Sequence, residues 1–272
     1  MKKILYIFAI ATLLLTSCED VVDIDMATAP PKLVVDASID WAKGSDGNYQ
    51  MIKLSTTSSY YSGTTPPALG ATVSISNGQG QEFTFNDLAN NGQYICTNFV
   101  PVIGQTYTLT IVYDGETYTG SETLFKTPDI VNVEQKDNGG FIGDETEVRF
   151  YFQDNVSEEN FYLVRFDAPV LPYPDYDTTD DEFTNGNLMF GIFSDEDLKP
   201  GQILDIRLHS TSKRYKNYMD KLIEVASGSG GGPFSTVPAT VRGNMVNQTN
   251  DANYPLGYFR VTQVDHYQYT IQ

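Results

Sequence analysis

The sequence predicts an all-β protein built as two antiparallel β-sandwich domains, the second carrying one amphipathic helix. Three observations predict it. Runs rich in Val, Ile, Thr, Tyr and Phe alternate apolar with polar residues and are cut at short intervals by Gly, Asn, Asp and Pro. Asn-Gly and Asp-Gly pairs fall between such runs, where a tight hairpin needs positive φ angles. One stretch near the C-terminal third has a helical period instead.

Residues 1–17 read as an export signal, with Lys2 and Lys3 ahead of an apolar stretch, Ile4 to Leu15, too short to cross a bilayer as a helix. Leu15-Thr16-Ser17-Cys18 resembles a bacterial lipobox, in which small residues let a peptidase approach and a cysteine thiol takes up a diacylglyceryl group. Cys18 is then the lipidation site and the first mature residue. Each acyl chain contributes about 0.8 kcal/mol per buried CH₂, and stable anchoring takes more than one chain. A di- or triacylated terminus meets that requirement and holds the protein to a membrane through lipid alone. Residues 18–30 form an acidic tether with Glu19, Asp20, Asp23 and Asp25, a composition that seldom orders itself. Acid directly after the cysteine also resembles the surface-export signal of Bacteroidota lipoproteins.

The N-terminal sandwich is expected over 31–126. Val73 and Ile75 precede Asn77-Gly78 and Phe83 and Phe85 resume the alternation; Tyr107, Leu109, Ile111 and Tyr113 precede Asp114-Gly115, with Tyr118 beyond. Both places read as hairpins in a sheet pair of immunoglobulin-like size. Thr127-Pro128-Asp129 marks its end. The C-terminal sandwich, 127–272, is read from EVRFYFQD, NFYLVRF, NLMFGIF, QILDIRL and GYFRVTQVDHYQYTI. Near 212–226, Tyr215, Tyr218, Met219, Leu222 and Ile223 share one helical stripe, with Ser210, Thr211 or Ser212 as N-cap and Gly228 to Gly232 as the stop. That helix is expected to pack on the second sandwich. Residues 58–70 and 168–187 read as loops, the second long enough to be functional or disordered.

The chain carries 17 basic and 35 acidic side chains, net −18; removal of residues 1–17 leaves 15 against 35, net −20. That balance excludes nucleic acid as a partner, because phosphate backbones are bound by a basic face. After lipidation Cys96 is the one cysteine left, so no intramolecular disulfide framework exists, and its place in a strand predicts a buried, inert thiol.

An enzyme needs a nucleophile, a base and a charge-stabilising group. No nucleophile elbow, metalloprotease helix or phosphate-loop motif occurs, and the two histidines, His209 and His266, read as structural. The protein is therefore expected to be no enzyme. Asp175, Asp177, Asp180, Asp181 and Glu182 crowd one segment and are candidate calcium ligands, since hard cations want several oxygens, although the EF-hand spacing is absent. No other cofactor is expected. Trp41, Tyr60, Tyr61, Tyr173 and Tyr176 lie at strand ends or in loops and are candidate ligand-binding rings, suited to stacking on sugar.

CED, KLVVDASI, LSTTSSYY with PPALGATVSI, GQYICTN, GQTYTLTI, DDEFTNGN, SKRYKNYMDKL, PFSTVPATVRGNM and LGYFRV occur in this order. The order is similar to that of the Bacteroidota lipoproteins called domain of unknown function 4249, over nearly the whole mature chain. The resemblance implies a membrane-anchored two-part β protein produced alongside a TonB-dependent outer-membrane transporter and serving nutrient uptake as an accessory, lid-like or binding partner; the acid after Cys18 adds that it faces the cell exterior. It transfers no catalytic or binding residue. An adhesion or cell-envelope structural module is the alternative, and an enzyme acting on polysaccharide the third.

Overall fold

The computed structural model describes residues 30–59, 62–227 and 240–272. The signal, the lipidation site Cys18, the acidic tether, Tyr60, Tyr61 and the glycine run after the helix lie outside them. Fifteen strands and one helix are present among the described residues. Their order is β1 (Leu33–Ala42), β2 (Gln50–Thr56), β3 (Thr72–Asn77), β4 (Glu82–Phe85), β5 (Gln93–Cys96), β6 (Thr106–Tyr113), β7 (Glu116–Thr123), β8 (Ile130–Gly139), β9 (Glu145–Gln153), β10 (Phe161–Asp167), β11 (Asp175–Asp180), β12 (Leu188–Asp195), β13 (Ile203–Thr211), α1 (Lys213–Ala226), β14 (Val246–Asn247) and β15 (Leu256–Thr270).

They form three sheets, ordered β11-β10-β13-β15-β1-β2-β5, β12-β9-β8 and β14-β7-β6-β3-β4. The first core lies between the β15-β1-β2-β5 part of the large sheet and the five-stranded sheet, where Val35, Ala37 and Ile39 meet Val73, Ile75, Tyr107, Leu109 and Ile111. The second lies between the β10-β13 part and the three-stranded sheet, where Tyr162, Val164, Phe166, Ile206 and Leu208 meet Val148, Phe150 and Phe152. Each core is fed by every second residue of its strands, and full burial of one such side chain stabilises by roughly 1.5–3 kcal/mol. This is the expected all-β, two-sandwich class.

The two halves share a strand. β15 runs for 15 residues: Leu256 to Val264 pair with β1, and Val264 to Thr270 pair with β13. The β1–β15 pairing is parallel, so the sheets are not antiparallel throughout. The sequence places one domain on each side of 126/127; the first core, however, takes in Met245, Phe259 and Val261 from beyond that point, the seven-stranded sheet runs across it, and Pro31–Gln272 forms a single unit. Thr127, read as marking the end of the first sandwich, is fully buried at the join. Its Oγ1 donates to the Gln263 carbonyl at 2.5 Å and accepts from the Ser210 backbone N–H at 2.9 Å.

Local rules explain most of the rest. Asp114 and Gly115 both have positive φ, 49° and 75°, between paired Tyr113 and Glu116, as a two-residue hairpin requires. After Asn77 the loop is longer: Asn77 Oδ1 accepts from the N–H groups of Gln79 and Gln81, and the positive φ of 82° falls on Gly80 rather than Gly78. Cys96 is a buried free thiol. Ser212 caps α1, its Oγ accepting from the Tyr215 N–H at 3.1 Å. Within 168–187, an expected loop, the structure has an edge strand, β11, whose register on β10 hydrogen-bonds the acidic segment into the sheet. Among the described residues no helix is long and apolar enough to cross a membrane.

Candidate functional site: a cleft between the helix and the large sheet

Strand alternation sends one set of side chains of the large sheet into the cores and leaves the other set on its outer face. On β1 the outward set includes Asp36, Ser38 and Asp40; on β10, Leu163 and Arg165; on β13, Arg207 and His209; on β15, Tyr258 and Arg260. Such a row of charge would ordinarily face water. Here α1 lies over it, because its apolar stripe needs burial and Tyr258 and Leu163 offer the partners: Tyr215 and Tyr218 each stand 4.8 Å from the Tyr258 ring, and Met219 is buried beside them. The helix is also tied to β11 by Lys216, whose Nζ lies 3.1 Å from Asp180 and 3.2 Å from Asp220, and by a hydrogen bond from Thr178 Oγ1 to Asp220.

Between helix and sheet remains a cleft of about 720 Å³, within the range of small-molecule sites. Its roof is Tyr215, Tyr218, Met219, Leu222 and Ile223; its floor is the outward row; Tyr173 and Pro174 stand at its side. Every guanidinium of the floor has a carboxylate. Arg165 donates Nε and Nη2 to Asp167, both at 2.8 Å. Arg207 donates Nε to Asp205 at 2.9 Å. Arg260, 7 % exposed, donates Nη2 to Asp40 at 2.8 Å and Nη1 to His209 Nδ1 at 2.9 Å. Arg165 and Arg207 are directly opposed in the β10–β13 register, as are Asp167 and Asp205. Like charges set opposite one another on a sheet destabilise it by a fraction of a kcal/mol to about 1 kcal/mol, so folding alone does not favour the arrangement.

The electrostatics follow from burial. His209 is driven down to about 3 by desolvation and by the Arg260 charge, so its ring is neutral. Because arginine can only donate, Nδ1 accepts and the proton sits on Nε2. That Nε2 and the Nε of Arg260 are buried donors without a hydrogen-bond partner. Burial opposes the charge on Arg260, but Asp40 and the nearby Tyr215 and Tyr176 hold its pKa above the ordinary value. Burial pushes the Tyr215 phenol up to about 12. Behind the floor, burial also raises Glu122, which accepts from the Tyr258 hydroxyl at 2.6 Å.

Two of the five candidate rings, Tyr173 and Tyr176, line this cleft, and Arg165 sits 5.9 Å from the Tyr176 ring centroid. Trp41 does not: its ring packs on the first core and its Nε1 donates to the Ser45 carbonyl. Tyr60 and Tyr61 are among the undescribed residues. The candidate calcium ligands are drawn apart by strand geometry. Asp175 and Asp177 share one face of β11, Asp180 faces Lys216, and Asp181 is buried, its Oδ2 unpartnered. Among the described residues no three His, Cys, Asp or Glu side chains converge to hold a metal ion, so these five, Glu182 included, form no calcium cage. His266, read as structural, lies 2.6 Å from Asp205.

Sequence reasoning missed Asp36, Asp40, Arg165, Arg207, Arg260 and the tyrosines Tyr215, Tyr218 and Tyr258. The usable signal was arginine at interior positions of LVRFD, DIRL and YFRV, on the face that alternation turns away from the core.

Fold and cleft define a class: a β-sandwich protein with a polar, helix-roofed recess on the outer face of its main sheet. The chain belongs to the family described as Domain of unknown function (DUF4249), whose model matches residues 19–268. Comparison with curated proteins finds no match. Among solved structures the chain is similar to the two fibronectin type-III domain segment from chicken tenascin, at 13 % identity over 67 % of this chain and 91 % of that one, TM-score 0.23. It is similar also to the FN1-FN3 domains of chicken CNTN1, at 14 % identity over 68 % of this chain and 63 % of that one, TM-score 0.26.

Proposed function

We propose that this protein is a non-enzymatic Bacteroidota lipoprotein, anchored through Cys18 in the outer membrane and facing the exterior. In this reading it works as an accessory or binding partner of a TonB-dependent uptake system and uses the cleft beneath α1 to hold what is taken up. The observation that carries the reading is the chemistry of the cleft. Its guanidiniums are each matched by a carboxylate, and its buried histidine is neutral with Nδ1 occupied by Arg260. Such groups recognise; they are not arranged as a nucleophile beside its base. Lipid anchoring keeps the protein at the membrane surface, so its contact with a neighbouring transporter forms at high effective concentration and need not be tight.

The test is crosslinking in intact outer membranes followed by identification of the captured proteins. Recovery of a TonB-dependent barrel is the expected result. Recovery of this protein alone, after mild crosslinking and detergent extraction, overturns the reading.

A further inference from the structure

We infer that the occupant of the cleft is a neutral saccharide, a deduction that rests on the binding role proposed above and names its ligand. Charge comes first. Arg165, Arg207 and Arg260 are each neutralised by their own aspartate, and Asp36 adds a further carboxylate in a chain of net −18. An anionic ligand finds no uncompensated cation there, and meets the Asp36 carboxylate besides. A ligand without net charge avoids that penalty.

Hydrogen-bonding capacity comes second. Arg165 Nη1 and both Nη groups of Arg207 form no hydrogen bond to a described residue, and the Asp36 carboxylate accepts only from Ser38, at 3.5 Å. Planar donors thus stand on the same floor as a planar acceptor, and a hydroxyl group is the function that both donates and accepts. Floor and roof also differ in kind. Above these polar edges lies the Tyr218 ring and beside them stands the Tyr173 ring, 81 % exposed and therefore not occupied in packing. A pyranose has that same division, hydroxyl groups around its rim and C–H groups on its faces, whereas a purely apolar ligand would leave the floor's polar groups unsatisfied.

The experiment is titration calorimetry on the full-length, detergent-solubilised protein with a panel of neutral hexasaccharides, α- and β-linked glucans, mannans and galactans, beside hexagalacturonate as the acidic control. Saturable binding of a neutral member is expected, weakened about tenfold by Tyr173→Ala and by Arg207→Lys, which keeps the charge beside Asp205 but loses the planar fork. Tyr173 is exposed, so its variant should melt as the wild type does. No binding by any neutral member, binding of the acid alone, or neutral binding indifferent to both substitutions overturns the inference. Crosslinking to a barrel by Tyr173→Ala separates the two claims: it persists if the accessory role holds and only the ligand is wrong, and it is absent from wild type and variant alike if that role is wrong.

Discussion

Replacing Asp40 by alanine strips the carboxylate from a guanidinium that has almost no other recourse. Arg260 is 7 % exposed, and without Asp40 it keeps, among the described residues, only His209 Nδ1 as hydrogen-bond acceptor and only the Tyr215 ring, 5.3 Å away, as π contact. Breaking a fully buried ion pair costs about 3–5 kcal/mol because a bare charge stays behind. Asp40 is itself 42 % exposed on its side chain, so water enters where the carboxylate was and screens part of that loss. The expected destabilisation is therefore about 2–3 kcal/mol, or roughly 4–10 °C in melting temperature for a unit of this size. The double variant Asp40→Ala/Arg260→Met removes the charge together with its partner and should recover to within about 1 kcal/mol of wild type, the residue being the acceptor left open on His209. Urea unfolding followed by circular dichroism, with the slope held common, measures both. A single variant within about 0.5 kcal/mol of wild type, or a double variant as unstable as the single one, would refute the view that Arg260 is held in place as a buried charge.

Acid should weaken the fold through His209, which faces Arg260, Asp40, Arg207 and Arg165. Its folded pKa lies near 3 against an ordinary 6.5, so between those values the unfolded chain binds a proton that the folded one refuses. Stability is then lost as pH falls, by up to about 1.4 kcal/mol per pH unit, and His209→Gln should flatten that limb; equal slopes in urea titrations at descending pH contradict the assignment. Gly257 has φ of 88°, and a Cβ there would stand 2.0 Å from the Val35 carbonyl oxygen. Gly257→Ala should abolish soluble accumulation, whereas Gly104→Ala, at φ of 79° with nothing within 4 Å, should cost only about 1 kcal/mol in thermal melts. Cys18→Ala should neither incorporate labelled fatty acid nor sediment with the envelope, and retention in that fraction counts against lipid anchoring. A fragment of residues 127–272 lacks β1 beside the first half of β15 and should bind a hydrophobic dye and unfold without a sharp transition, as followed by fluorescence.

How much of this was legible beforehand depends on the range of the interaction. The Asp114-Gly115 hairpin and the Ser212-capped helix are decided within a few residues, and both form where the local chemistry demands. Asn77-Gly78 shows the first loss of resolution: the asparagine side chain organises the turn, but the positive φ moves to Gly80 because the loop between paired Ser76 and Glu82 is longer than a two-residue turn. β11 was hidden because its aspartates argue against a strand, and only the unpaired edge of β10 supplies the hydrogen bonds that outweigh them. The cleft was out of reach for a related reason. Alternation tells which side chains of β1, β10, β13 and β15 share a face, yet Ser38 pairs with Arg260 across more than two hundred residues of sequence, and no periodicity announces that register.

That register has a consequence for what the cleft can be. Asp36 and Asp40 come from the strand that opens the first sandwich, Arg165 and Arg207 from the second, and Tyr258 and Arg260 from the first half of the strand that serves both. A recess on either sandwich alone would hold one half of this set. The parallel β1–β15 contact, with Gly257 allowing the close approach at Val35, brings the halves into one sheet and fixes the spacing of the floor. α1 follows β13 directly in sequence and is capped by Ser212 at the point where that strand ends, so the same chain segment that supplies Arg207 and His209 also delivers the roof. Floor and roof are thus positioned by rigid elements rather than loops, with Tyr173 the exposed exception at the mouth. Preorganisation of that kind lowers the ordering cost of binding. It suits the tethered binding role proposed above, in which a ready-formed site and weak, reversible capture serve better than a tight grip.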